Sequence, residues 1–401
     1  VTCILLLLST FGGVSLVPQL SVAAYETPEE PRLEPDAGAL HVLVTGGAGY
    51  IGSHATMMLL ELGHAVTVVD DLSRGNLGAV RVLKSLAPPK RLRFVEGDVG
   101  DFTVLQKALP TVDLVVHFAA VAIVAESTRD PLRYYLNITG NTVRLLHAMS
   151  KFNVDRMIYS STCAVYGNPT QMPITEESPT KPLSPYGFAK LASETAIRDY
   201  ARSNPKFHAV LLRYFNVYGA DPRGLLGEYP PVALGKEGRI STACFEAALG
   251  FVDELVVHGT DLPTKDGTCV RDYIHVVDLV RAHLAAIHAA SNEVPVYNVG
   301  TGRGVSVREF VEACKAVTGK PLNIREEAES RSGDPAEVFA DPLKINRELN
   351  WTAHFTNVTE GLATGWRWRE KHPYGYTVSD AGELSDGSRG YAHVLRRART
   401  L

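Results

Sequence analysis

Tyr186 and Lys190 stand at positions i and i+4 of SPYGFAKLASE. On a helix these positions share a face, so a phenol and an ammonium would point into one cleft. A free tyrosine has a pKa near ~10 and is a poor base at neutral pH, but an adjacent ammonium stabilises the phenolate. Such a pair can take the proton of a substrate hydroxyl. Upstream, YSSTCAVYG puts hydroxyls just after an apolar run, where Thr162 is placed to hydrogen-bond the reacting group. A Y-x-x-x-K spacing alone also occurs on ordinary solvated helix faces, so its weight depends on what accompanies it.

The accompanying signal is glycine. Gly46, Gly49 and Gly52 fall in G-x-x-G-x-x-G spacing, and Gly47, Gly49 and Gly52 also satisfy G-x-G-x-x-G. Small residues allow a tight turn and let a pyrophosphate approach the backbone, where a helix N-terminus offers unpaired N–H groups. Asp70 closes the next apolar run at the ~20-residue offset of a carboxylate that accepts from an adenosine ribose. It also repels a 2′-phosphate, which favours NAD over NADP, with Arg74 nearby acting against it. Gly46, Gly49, Tyr50, Ile51, Gly52, Asp70 and Asp71 are the cofactor candidates of this segment.

These residues need a scaffold that gathers strand ends. HVLVTG is a β-branched run that stops at glycine, IGSHATMMLLELG has helical spacing, and AVTVVDD is a second strand, which makes one βαβ unit. RLRFVEGDV, DLVVHFAA and DRMIYSST continue the pattern, separated by helical stretches such as TVRLLHAMSK. Repeated βαβ units predict an α/β fold, a Rossmann-type doubly wound parallel sheet with helices on both faces.

The two ends differ from this middle. Residues 1–20 (VTCILLLLSTFGGVSLVPQL) are apolar, uncharged and begin without Met, near the lower length limit of a membrane span. We expect a truncated signal anchor there, with a cleaved signal peptide as the alternative. Residues 21–39 are rich in Pro and Glu and read as an extended, solvated stem, and residues 377–401 read as a loose tail. Between them, residues 40–376 are expected to form the catalytic unit, with a cofactor lobe mainly in 40–215 and a smaller C-terminal α/β substrate lobe mainly in 216–376.

Composition narrows the partners. With 45% hydrophobic and 21% charged residues, the 401-residue chain is neither disordered nor a coiled coil. Its formal charge of −4 leaves no basic surplus for nucleic acid. The five cysteines form no C-x-x-C pair and no His cluster has ligand spacing, so neither a disulfide framework nor a metal site is expected. His275, inside the apolar run YIHVVDLV, reads as structural rather than catalytic.

From His41 to Tyr376 the chain resembles the extended short-chain dehydrogenase/reductase family and, within it, the nucleotide-sugar 4-epimerases. The segments that carry the resemblance are VTGGAGYIGSH, VVDDLSRGN, EGDV, HFAA, SSTCAVYG, SPYGFAK, LRYFNVYGADP, DGTCVRDYIHVVDL, YNVGTG and RSGD. It implies that Tyr186 is the catalytic base, Lys190 its electrostatic partner and ribose contact, and Thr162 the hydroxyl where many relatives have serine. It further implies Asp98 and Val99 beside the adenine, Phe118 and Asn137 beside the cofactor, and Tyr214 near the nicotinamide. Asn216, Arg271, Tyr273, Arg331 and Asp334 would hold the UDP half of a UDP-sugar, a role that suits guanidinium forks and an amide. The implied reaction is NAD-dependent 4-epimerisation through a 4-keto sugar.

Departures from the family pattern bear on the substrate. Cys163 and Ala164 follow Thr162 where dehydratases and decarboxylases carry an acid. Ala122 stands where many glucose/galactose-type epimerases have lysine, and DPRGLLGEYPP lacks their Asn-Asn pair. Together with GRISTACFEAALG and GTCVRDYIHV, these features are most similar to plant and algal UDP-arabinose 4-epimerases. The substrate pair implied is UDP-xylose and UDP-L-arabinose, with UDP-glucose and UDP-galactose as the alternative and net oxidation, reduction or dehydration of a nucleotide sugar behind both. A non-catalytic dinucleotide-binding regulator would typically lack the Tyr186 and Lys190 pair. The same resemblance implies a single-pass type II Golgi membrane protein, with a cytoplasmic location as the alternative. It also implies a homodimer through two helices, one of which carries Y-x-x-x-K; the apolar stripe of FAKLASETAIRDYA fits that.

Overall fold

The computed structural model describes residues 33–229, 239–329 and 335–376. Its strands are, in chain order, β1 (His41–Thr45), β2 (Ala65–Asp70), β3 (Leu92–Glu96), β4 (Leu114–His117), β5 (Arg156–Thr162), β6 (His208–Tyr214), β7 (Asn216–Tyr218), β8 (Leu255–His258), β9 (Val270–His275), β10 (Val296–Val299), β11 (Gly304–Ser306), β12 (Ile324–Glu327) and β13 (Glu337–Val338). Seven of them form a sheet in the order β10-β6-β5-β4-β1-β2-β3, in which every neighbouring pair is parallel. From β1 the chain winds one way to β2 and β3, then returns to the other side of β1 for β4, β5 and β6. That reversal leaves a crevice at the carboxyl ends of β1 and β4, where ligands bind in such sheets.

Both faces of this sheet are covered, which explains why its strands read as unbroken apolar runs rather than alternating ones. Successive side chains enter opposite cores: Val42, Val44, Val66 and Val68 pack into one, Leu43, Val69 and Val115 into the other. Each fully buried aliphatic side chain is worth roughly 1.5–3 kcal/mol relative to exposure, so these two cores dominate the stability of the frame. β3, at the sheet edge, is only half-buried.

A smaller lobe gathers β7, β11 and β13 around β9, with β8 and β12 paired separately. Its core contains Tyr218, Phe245, Tyr273, Phe310 and Trp366. Part of the segment expected to lie mainly in the substrate lobe, 216–376, returns to the large sheet. β10 pairs with β6 in the large sheet, with Val296 opposite Leu211, and the helix Val276–Ala285 packs into the first core through Val276, Leu279 and Ala282. The chain therefore returns from the small lobe to complete the large one. Asp272 on β9 locks that return, since its buried carboxylate accepts from the backbone N–H groups of Thr301, Gly302 and Ala340 and from the Thr301 hydroxyl.

Residues 33–39, in the stem expected for 21–39, are mostly exposed to solvent but are docked on the catalytic unit. Glu34 N–H donates to Lys90 O at 3.0 Å, Asp36 N–H donates to Gly63 O at 3.0 Å, and Asp36 pairs with Arg91. Short-range composition shows a Pro- and Glu-rich stretch, but these three partners lie far along the chain. The expected anchor 1–20, the rest of the stem and the tail 377–401 lie outside the described residues. Among the described residues no helix is long and apolar enough to cross a membrane.

Candidate active site

β1 ends at Thr45, and the chain turns at Gly46 (φ 71°) into the helix Tyr50–Glu61. A Cβ on Gly52 would lie 2.2 Å from Gly46 O, so no other residue lets this helix pack so closely on its own turn. The helix start has no side-chain cap and no acidic residue in its first turn. Its unpaired N–H groups and positive dipole end therefore suit a pyrophosphate. Asp70, at the end of β2, accepts the N–H of Ala48 and of Leu72, each at 2.9 Å, which aligns its carboxylate beneath the turn. Burial raises its pKa, and these backbone donors offset part of the rise. The Arg74 guanidinium is engaged by Glu126 at 2.7 Å, which neutralises the cation that would have welcomed a 2′-phosphate. Asp98 accepts from Gly100 N–H and from the Asn141 amide, both at 2.8 Å. Glycine turn, uncapped helix and ribose carboxylate together fit NAD.

One cavity of about 1490 Å³ opens from this turn across the sheet end to the small lobe. Every candidate residue named above lines it except Arg331 and Asp334, which lie outside the described residues. Asn137 sits in a single π-helical turn, Tyr135–Gly140, and its side-chain oxygen accepts Val121 N–H at 2.8 Å. Such wide turns often mark functional sites, and here the turn fixes the segment after β4 that walls the cavity.

The catalytic candidates stand on β5 and the helix Pro185–Ser203. Ser184 caps that helix by accepting Gly187 N–H at 3.2 Å, and Pro185 opens its first turn. A Cβ on Gly187 would lie 2.6 Å from Ala164 O, so glycine after Tyr186 lets the helix press on the turn that follows Thr162. Tyr186, Lys190 and Glu194 then share one buried face. The Lys190 ammonium donates to Ser160 O at 2.7 Å and lies 4.9 Å from the Tyr159 ring centre. Burial raises the Tyr186 phenol well above its ordinary pKa, the neighbouring Tyr214 adds to the rise, and a hydrogen bond with Thr162 pulls the other way. Burial also lowers Lys190 to about 7, with Glu194 opposing. Burial thus disfavours charge on both groups. A phenolate and an ammonium formed together here would both be desolvated, so it is their mutual attraction that has to offset the cost of charging the pair.

Sequence reading missed the support behind this pair. His283 Nδ1 donates to Leu279 O at 2.9 Å, since a carbonyl only accepts, and this leaves Nε2 to accept the Ser160 hydroxyl at 2.9 Å. Burial lowers this histidine to about 4, so it stays neutral. Its ring also backs Phe118 at 4.7 Å and Tyr214 at 6.2 Å. Deeper still, Glu194 receives a bidentate guanidinium from Arg213 and the Ser161 hydroxyl. His275 caps the helix Val276–Ala285 and hydrogen-bonds Thr364 at 2.9 Å, away from the cavity.

On the substrate side, Asn216 (β7) and Tyr273 (β9) are cross-strand partners, and Arg271 extends from β9 into the same space. Arg239, Ser241 and Thr242, which the sequence did not single out, line the cavity at the start of the helix Ile240–Ala248, whose N-terminus carries no side-chain cap. Arg239 pairs with Glu228 and covers the Tyr50 ring at 5.1 Å. Open N–H groups and arginines on this side suit a diphosphate.

A Rossmann sheet with a dinucleotide turn, a buried Tyr–Lys pair and a second lobe that closes a common cavity defines a nucleotide-dependent epimerase or dehydratase. The NAD dependent epimerase/dehydratase family model matches residues 42–300, and the chain belongs to that family. It is 54% identical over 352 residues to UDP-arabinose 4-epimerase 1 of Arabidopsis thaliana, covering 87% of this chain and 83% of that protein. Identity to UDP-glucose 4-epimerase 2 of the same plant is 42% over 354 residues, covering 86% of this chain and all (100%) of that protein. The crystal structure of UDP-glucose 4-epimerase from Bifidobacterium longum in complex with NAD+ and UDP matches with a TM-score of 0.78 at 39% identity, covering 83% of this chain and 99% of that one. The cofactor is NAD.

Proposed function

We propose that the protein interconverts UDP-xylose and UDP-L-arabinose by inverting C4. The observation that carries the reaction type is the buried face of Tyr186 and Lys190 against Thr162, in the cavity that also holds the dinucleotide turn. NAD held at the Gly46–Gly52 turn would supply a reversible hydride acceptor beside the sugar C4. Tyr186 takes the 4-hydroxyl proton, Lys190 favours the phenolate, and Thr162 holds the oxygen in line. Arg271 and Asn216 keep the nucleotide in place while the flat 4-keto sugar turns over. Tyr186 then returns the proton, so no net redox change results. The pentose assignment draws on the higher identity to the UDP-arabinose enzyme and on Ala122 at the cavity wall, where the family resemblance implies a lysine in many glucose/galactose-type enzymes.

The test is a substrate panel with no added cofactor. Equilibration of UDP-xylose with UDP-L-arabinose supports the reading. Inertness on both pentoses with conversion of UDP-galactose would replace it by the glucose/galactose reaction.

We also propose a homodimer. Leu132, Tyr135, Leu136 and Val143 on one helical stretch and Phe188 on the Y-x-x-x-K helix are exposed apolar residues on elements that pack together. Light scattering should give twice the chain mass, and Leu136→Glu should halve it. Membrane attachment through residues 1–20 draws on their apolar sequence, and a Golgi location with a lumenal catalytic unit draws on the family resemblance; carbonate extraction should leave the full-length protein in the pellet, and release into the supernatant would contradict it.

A further inference from the structure

Arg74 and Glu126 touch neither the catalytic pair nor the UDP side, yet they connect two walls of the cofactor crevice. Arg74 sits in the loop after β2, and Glu126 in the short helix Val124–Arg129 after β4. In the sheet β2 and β4 flank β1 on opposite sides. A bond between the loops that follow them therefore crosses the end of β1, where the dinucleotide turn lies. Arg74 Nη2 donates to both Glu126 oxygens at 2.7 Å. The loop that carries Arg74 is folded back on the turn, with Asn76 N–H donating to Ala48 O at 2.9 Å.

Glu126 is anchored from its own side by Arg133 Nη1 at 2.8 Å and by the Tyr134 hydroxyl at 2.9 Å. Burial raises its pKa, and Tyr134, Arg74 and Arg133 together more than reverse that, so it is ionised at neutral pH. The pair is also sheltered, with side-chain exposures of 25% and 17%, unlike the freely solvated pairs that contribute almost nothing. Tyr134 meets the Tyr186 ring edge-on at 6.3 Å, which joins the anchor to the catalytic end.

We propose that Arg74 and Glu126 form a clasp across the cofactor crevice, open when NAD enters or leaves and closed during turnover. The chemistry makes such a device useful: the hydride taken from the sugar is returned, so the cofactor is not consumed and its exchange would only interrupt the cycle. A clasp is distinguishable from a direct contact. If Arg74 gripped the pyrophosphate itself, Arg74→Ala would speed NAD release without speeding entry, and Glu126→Gln would free the arginine and slow release. A clasp obstructs both directions, so both substitutions accelerate both steps.

The experiment measures NAD release from the holoenzyme into an NAD-consuming trap, and NAD entry into the stripped apoprotein by stopped-flow fluorescence. Both rates should rise roughly tenfold in Arg74→Ala and in Glu126→Gln, with a smaller change in Kd than in either rate. Faster release without faster entry, opposite effects of the two substitutions, or rates equal to wild type would each overturn the clasp. Glu126→Gln keeps an acceptor for Tyr134. Should thermal unfolding show that it misfolds, Glu126→Asp, which withdraws the carboxylate by one methylene, is judged by the same two rates.

Discussion

The two ends of the cavity are built on different terms. At the catalytic end Tyr186, Lys190 and Thr162 are 6%, 2% and 6% exposed, and each is held by a strand or helix buried beneath it. At the UDP end Asn216 is exposed and Arg271 half-buried, and the polar groups are spread over β7, β9 and the start of a helix. A proton transfer loses rate steeply with small displacements, so its groups are fixed. A 4-keto sugar has to turn between the two hydride transfers, so the region around it is loosely furnished and the grip is on the nucleotide beyond.

The difference can be broken most severely at Tyr186. Tyr186→Phe should lower kcat by ~10²–10⁴-fold, the range for a lost general base, while UDP binding stays near wild type in calorimetry. The support behind the pair comes next. Arg213→Leu leaves the Glu194 carboxylate buried without its cation and should cost about 3–5 kcal/mol of stability, read as a lower denaturant midpoint. The looser end should respond more mildly and in a different constant. Arg271→Leu should raise KM for the UDP-sugar by ~10–100-fold, the worth of charge-assisted hydrogen bonds, with kcat within about threefold of wild type.

A last effect concerns pH and sharpens how tightly the catalytic end is sealed. In the folded apoprotein burial lowers Lys190 to about 7 from 10.5. Between those values the unfolded chain binds more protons than the folded one, so stability rises with pH across that window and is flat below it. Lys190→Met lacks this contribution. The Tm difference between wild-type and Lys190→Met apoprotein should therefore move in favour of wild type from pH 7 toward 10 and stay constant below pH 7.

Much of the fixed end was legible in the sequence because its requirements are local. The turn Gly46–Gly52 needs glycine where backbone approaches backbone, and Tyr186 and Lys190 need only one helical turn between them. The parallel sheet followed from β-branched runs buried on both faces. The interleaving of the lobes did not, because nothing near Val296 announces that it pairs with Leu211. The same holds for His283 on Ser160, Arg213 on Glu194, Asp272 on Thr301 and Arg74 on Glu126. Each joins residues between 19 and 123 positions apart. Their partners are ordinary polar residues until folding brings them together. Arg239 and the uncapped helix start after it were missed for another reason: an absent cap leaves no residue to notice.

The most direct measurement follows the hydrogen at C4. UDP-xylose carrying deuterium at C4, incubated with the purified protein and no added cofactor, should yield UDP-L-arabinose with the deuterium still at C4, because the hydride is held and returned within one closed site. Product that has lost its label to water, or no product until free NAD is supplied in stoichiometric amount, would contradict it.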